Sequence, residues 1–167
     1  PLFPKGFYNE IQVVLTTLST DQENVPDILG IIAASAALTI SEIPFDGPVG
    51  GTRIGYIKGD YVVNPTYTQL HESEIDLVVA GTRDAVVMVE AGANEVDESR
   101  LLEAIRLGQE VNGVLADLQD EMRAQVGMGK MIFELEPRDE EAEAAVRLLL
   151  NGRLEQAGQG LGKEERA

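Results

Sequence analysis

"GPVGGTRIGYIKGDYVVNPT", residues 47–66, crowds glycines and an arginine beside two short apolar runs. A loop that cradles phosphate feeds a helix amino terminus, whose free N–H groups and dipole bind the anion. Here Gly50 and Gly51 lead instead into "TRIGYI", which alternates like a strand, and "KGD" at 58–60 reads as a tight turn into "YVVNPT". The stretch predicts a β-hairpin and its glycines are turn chemistry. Arg53 is left as the side chain that could still meet an anion.

Downstream, "IDLVVAGT" at 75–82 and "AVVMVEA" at 85–91 flank "RD" and predict a second hairpin. A long helix follows from about Asp97, opened by "DESR", with Val111, Leu115, Leu118 and Met122 recurring at helical spacing as the expected core stripe. "VGMGK" at 126–130 ends it, and "EPRDEEAEAAVRLLLNGRLEQ" predicts a shorter acidic helix. Upstream, "ENVPDILGIIAASAALTIS" at 23–41 predicts a mostly buried helix, with Asn24 as its cap and Pro26 and Asp27 in the first turn. Ala33, Ala34, Ser35, Ala36 and Ala37 would let it pack closely on a sheet. "EIQVVLTTLS" at 10–19 predicts a strand with no partner before it, so the chain reads as a piece of something longer. A removed initiator methionine and a later pairing strand are the alternative.

The chain has 167 residues, 44% of them hydrophobic, enough for one ordinary domain or a small domain with an appendage. Its net charge of -16 argues against a generally basic nucleic-acid surface, because phosphate contacts need cationic side chains. With 0 cysteines and 1 histidine, neither a disulfide framework nor a multi-histidine metal site is available within one copy. No apolar run reaches the roughly 20 residues that span a bilayer, and the expectation is a cytoplasmic protein with no membrane partner.

Several candidate sites compete with plainer readings. "AGQGLGK" at 157–163 fails as a nucleotide loop, since Ala157 replaces the first glycine and Glu164 the hydroxyl residue. His71 could act as a base beside Glu72 and Glu74, although a lone histidine in a polar turn is usually a solvated side chain. The run "RDEEAEAA" could collect a divalent cation or simply be a soluble face. Glu74 and Asp76 alternate with apolar residues and could share a strand face aimed at a metal or substrate.

Three stretches taken together are informative: "PLFPKGFYNEIQVV", "NVPDILGIIAASAALTISEIPFDGPVGGTRIGYIKGDYVVNPT" and "ESEIDLVVAGTRDAVVMVEAGANEV". In order and spacing they resemble the first ribonuclease PH-like core of the bacterial polynucleotide phosphorylase (polyribonucleotide nucleotidyltransferase) family. "VRLLLNGRLEQ" through "KEERA" is similar to that family's following all-helical segment. The resemblance implies an α+β fold: residues 1–48 as the end of the first subdomain, 49–126 as the second, and 127–167 as the start of the helical linker domain. It also implies an enzyme that uses inorganic phosphate to release nucleoside diphosphates from RNA 3′ ends. That enzyme carries two such cores per chain, a homotrimeric ring around RNA, and Mg2+ with phosphate at its chemistry.

In the family's catalytic core, a serine-rich helix start holds phosphate and an Asp-x5-Asp-x-Lys pattern before "VAGT" carries metal and catalytic groups. By resemblance, the "VAGT" at 79–82 places Leu70, Asp76 and Val78 on those three positions, so only Asp76 is retained. Glu23 and Asp27 stand where the serines would be and would repel phosphate. The implied reading is a catalytically silent core with no catalytic residue and no metal of its own, which shapes the ring and the RNA path. Lys5 and Arg53 are its candidate RNA contacts, and the remainder of the same enzyme is its partner. Two other classes stay open: a stand-alone acidic protein-interaction module, and a small metal-dependent enzyme built on Glu74, Asp76 and His71.

Overall fold

Lys58 and Gly59 both take positive φ, 52° and 97°. Two successive left-handed residues make the tight turn whose twist matches a β-hairpin. It joins β1 (Gly50–Ile57) to β2 (Asp60–Val63), closing on the Ile57–Asp60 pair. A one-turn helix α2 (Tyr67–His71) follows, held by a reciprocal capping box between Thr66 and Gln69. The second hairpin, β3 (Ile75–Gly81) and β4 (Val86–Ala93), lies beside the first through β1–β3 pairing. The result is a four-stranded antiparallel sheet in the order β2-β1-β3-β4, so the opening stretch is indeed a hairpin. In this computed structural model, residues 2–134 and 139–154 are described.

Alternate residues of β1 and β3 point to one face, where Ile54, Tyr56, Ile75, Leu77 and Val79 join Ala104 of the long helix α3 (Glu98–Val126) in the core. The expected stripe of Val111, Leu115, Leu118 and Met122 is not the buried face of that helix. Ala104, Gly108, Asn112, Ala116 and Gln119 are buried instead, and Leu118 is 61% exposed. The reason is distance. A Cβ on Gly108 would come 3.0 Å from Val79, and one on Gly50 would come 2.6 Å from the Asn112 Cα, so at these two crossings helix and sheet approach too closely for a larger side chain. Asn112 is fully buried and satisfied there, accepting from the Thr52 hydroxyl at 2.8 Å and donating to the Val79 carbonyl at 3.2 Å.

Helix α1 (Asp27–Ile40) buries Ile28, Ser35 and Thr39. Gly51 lies against Ile31 of this helix, and the Ser35 hydroxyl accepts from the Val49 amide at 2.7 Å. The expected cap is corrected. Pro26 occupies the N-cap without a side-chain cap, while the Asn24 amide turns back to donate to Asp21 at 2.6 Å. The expected strand at 10–19 is also absent. That segment pairs with no strand among the described residues, and Val14 and Leu18 are 73% and 93% exposed. An extended run whose backbone finds no neighbour does not become a strand.

After α3 the chain returns to the far end of α1. The Met128 amide donates to Ile40 O and that of Met131 to Glu42 O, each at 2.8 Å, and Phe133 meets Phe7 edge-on at 5.0 Å. The chain divides into one compact unit over 1–133 and a second over 134–167. Within the second unit, α4 (Glu140–Leu150) is the predicted acidic helix, capped by the Asp139 carboxylate on the Ala142 amide at 2.9 Å. Ala157 and Glu164 lie outside the described residues. No helix among the described residues is long and apolar enough to cross a membrane.

Candidate functional site around Arg53

With Thr52, Ile54 and Tyr56 turned to the core, the pleat of β1 sends Arg53 to the opposite face of the sheet. The ladder then fixes its neighbours: Arg53 lies opposite Val78, Val78 opposite Glu90, and Asp76 between Gly55 and Gly92. Of the two glycines, Gly92 leaves room beside Asp76, whereas the space at Gly55 is taken by Pro65 and Ser73. Arg53 reaches diagonally, bringing Nε to 3.5 Å from Asp76 Oδ1, while its Nη2 donates to Asp27 Oδ2 at 2.7 Å. Arg53 is therefore tied both to the start of α1 and to β3.

Its backbone is held as firmly. The Arg53 amide donates to Asn64 Oδ1 at 3.0 Å and its carbonyl accepts from the Asn64 amide at 2.7 Å. Asn64 can do both because it sits at the end of β2 with φ of 50°, a conformation asparagine tolerates. Sequence reasoning passed over Asn64, although an asparagine before a proline at a strand end is a recognisable turn signal. The Arg53 side chain is 15% exposed, and its buried Nε makes no hydrogen bond. A pocket of ≈ 280 Å³ opens beside it, lined by Asp76, Val78, Glu90, Ala91 and Gly92. A groove of ≈ 370 Å³ runs along α1, lined in part by Asp21, Asn24, Ile28, Arg53 and Asn64. At its end the amides of Asn24 and Glu23 and the Asn24 side chain hold the Asp21 carboxyl below the usual carboxylate range.

Of the candidate residues, the structure brings together Arg53, Asp76, Val78 and Asp27. Leu70 lies on α2, outside both linings, and Val78 is a buried apolar strand residue, 8% exposed. Lys5 is exposed, and no hydrogen bond or ion pair among the described residues links it to Arg53. His71 is exposed in the last turn of α2, and Glu72 pairs instead with Lys58 at 3.0 Å. Glu23 contributes its carbonyl to the Tyr67 amide.

These residues do not fit Mg2+. Among the described residues no group of three or more histidine or carboxylate side chains converges, and the Asp76 carboxylate faces a guanidinium, which would repel a cation placed on it. The arrangement can hold charge and geometry, and it does so with its own counter-ions.

Residues 47–111 match the family model described as "3' exoribonuclease family, domain 2". The crystal structure of rice Rrp46 is similar in fold, with a TM-score of 0.55 and 12% identity over 61% of this chain and 49% of that one. Among curated relatives, the polyribonucleotide nucleotidyltransferase of Dehalococcoides mccartyi is 46% identical over 94% of this chain, and that of Thermus thermophilus 48% over 100%. The Chloroflexus aurantiacus protein of the same name is 49% identical over 99%. The chain spans about a fifth to a quarter of these relatives, 22% to 24% of their length. Similar along nearly all its residues to one segment of these longer proteins, the chain belongs to the polyribonucleotide nucleotidyltransferase family.

Proposed function

We propose that this chain is part of a phosphate-dependent 3′-to-5′ exoribonuclease that releases nucleoside diphosphates from RNA, and that this core is its catalytically silent member. In such a reaction a phosphate oxygen attacks the terminal phosphodiester phosphorus and the 3′-oxygen of the preceding nucleotide leaves. Catalysis requires donors on the attacking anion and cationic charge on the transferring group. The observation that carries the reading is the Arg53–Asp76 pair: the one retained position of the catalytic pattern has its carboxylate 3.5 Å from a guanidinium. Val78 supplies a buried isopropyl group where the pattern has an ammonium, and Leu70 is elsewhere. Chemistry, Mg2+ and phosphate then belong to a second core outside these residues.

In this reading the core contributes shape. The remainder of the enzyme is its partner, three chains form the ring, RNA is met through the assembly, and the enzyme works in the cytoplasm. Exposed apolar side chains on β4, with Val86, Val87 and Val89 at 40%, 42% and 44%, support a face covered by further protein. Lys5 is the exposed cation offered to RNA, while the charge of Arg53 is engaged within the fold. Similarity over the whole chain to one enzyme family favours this reading over a stand-alone interaction module.

The test is Asp76→Asn in the full-length enzyme, followed as nucleoside diphosphate release at saturating phosphate and RNA. Turnover should stay within about twofold of the parent, whereas a loss of tenfold or more, about 1.4 kcal/mol of transition-state stabilisation, in a folded variant would place chemistry in this core. Native mass spectrometry of the same preparation should give three chains per particle. A monomer would remove the ring.

A further inference from the structure

We propose that Asn151-Gly152, at the carboxy end of α4, is a site of spontaneous deamidation, and that the fold withholds the same reaction from Asn112-Gly113. Asparagine followed by glycine is the pair most open to this chemistry, because glycine has no Cβ to hinder attack by its own backbone nitrogen and lets the chain turn towards the side chain. The sequence contains the pair at 112–113 and again at 151–152. The fold puts them in opposite settings. Asn151 is exposed just past the last residue of α4, with φ of 35° and ψ of 51°, and its backbone amide closes the helical ladder on Arg147 O at 3.0 Å. Gly152 continues the turn at φ of 77°. Among the described residues, neither the Asn151 side-chain amide nor the Gly152 backbone amide makes a hydrogen bond. Helix ends open at almost no cost in free energy, so the two groups can meet.

Asn112 has none of this freedom. It is fully buried within α3, with its Oδ1 accepting from the Thr52 hydroxyl and its Nδ2 donating to Val79 O. The helical backbone commits the Gly113 nitrogen to the carbonyl one turn back. At Asn151 the Gly152 nitrogen gives its proton to water or hydroxide and bonds to the Asn151 Cγ. The bond from Cγ to Nδ2 breaks, and that nitrogen takes a proton from water and leaves as ammonia. Water then adds to either carbonyl carbon of the cyclic imide. Opening on one side gives aspartate, and opening on the other gives isoaspartate, whose main chain runs through the former side chain. Water is consumed, ammonia is released and nothing is oxidised or reduced. Either product sets a new negative charge at the carboxy end of α4, where the helix dipole is already negative, and isoaspartate also lengthens the main chain by one methylene at that point.

The experiment incubates the full-length enzyme, folded, at mildly alkaline pH in heavy-oxygen water, beside a second sample unfolded in urea. Both are digested and mapped by mass spectrometry, with isoaspartate methyltransferase marking the isoaspartyl peptides. In the folded enzyme the Asn151 peptide should convert to a mixture of aspartate and isoaspartate, each carrying one heavy oxygen. It should do so roughly tenfold or more faster than the Asn112 peptide, which reacts only through openings of α3. In urea the two rates should converge. The proposal is overturned if Asn151 keeps its amide in the folded enzyme, or if Asn112 converts there as fast. It is equally overturned if the product at Asn151 is aspartate alone, which is the mark of direct hydrolysis. Turnover plays no part in these readouts, so the silent-core reading stands or falls separately, through Asp76→Asn.

Discussion

The ammonium of Lys130 lies 2.8 Å from the carbonyl oxygen of Leu38, 92 positions earlier in the chain. The same nitrogen donates to Thr39 O at 3.1 Å and Ser41 O at 2.8 Å, so one lysine places all three of its donors on the last turn of α1. The Leu38 carbonyl shares the ammonium with the Ser41 hydroxyl, which donates to it at 2.9 Å, and the helix dipole favours a cation there. Lys130→Met should therefore lower stability by about 1–2 kcal/mol, read as a lower urea midpoint with an unchanged slope. A midpoint equal to the parent's would show that water replaces the ammonium at no cost.

Thr52 and Asn112 test whether the helix–sheet interface is specified by polar contact. Asn112→Leu strands the Thr52 hydroxyl and removes the donor from Val79 O, both in a buried setting, and should cost about 1–3 kcal/mol. Adding Thr52→Val removes the stranded hydroxyl, so the double variant should be less destabilised than the sum of the two single changes. Strict additivity in denaturant melts would mean that the two side chains do not couple.

These two pairs also mark where the sequence could be read and where it could not. The hairpins announced themselves because Lys58-Gly59 and alternating apolar residues are local signals, and the long helix because its acids and spacing are local too. The face on which α3 packs was not legible. Periodicity favours its largest apolar residues, yet the close approach of β1 and β3 selects Gly108, Ala104, Ala116 and Asn112. The segment at 10–19 looked like a strand because propensity is local, whereas strand formation depends on a neighbour. At the site, Arg53 and Asp76 stood out individually. Their meeting with Asp27 follows from ladder register and from where α1 begins, neither of which a single sequence displays.

Tyr61 gives a pH-dependent signature. Its hydroxyl lies 3.0 Å from Arg100 O and 3.3 Å from Glu103 Oε2, and burial, followed by the Glu103 charge, pushes its pKa above 10.0. Because the folded-state value is raised, the unfolded chain releases this proton first. The stabilisation is fully present below pH 10.0 and is lost as pH rises through the folded-state pKa. Tyr61→Phe should consequently show a shallower decline of the urea midpoint above that pH than the parent. Parallel declines would assign alkaline unfolding to other groups.

Gly50 and Gly59 separate two reasons for glycine. At Gly59 the requirement is conformational: φ is 97° and nothing lies within 4 Å of an added Cβ. Gly59→Ala should cost about 1–2 kcal/mol through the left-handed backbone alone, and Gly59→Asn less, since asparagine tolerates that region. At Gly50 the requirement is space. An added Cβ would stand 2.6 Å from the Cα and 2.8 Å from the carbonyl oxygen of Asn112, which are helix backbone and cannot swing aside. Gly50→Ala should cost about 1–3 kcal/mol by overpacking, and Asn112→Ala should not rescue it, because the obstructing atoms remain. Comparison of the four variants in urea decides the matter: a Gly50→Ala midpoint equal to the parent's would mean that α3 does not sit this close to β1.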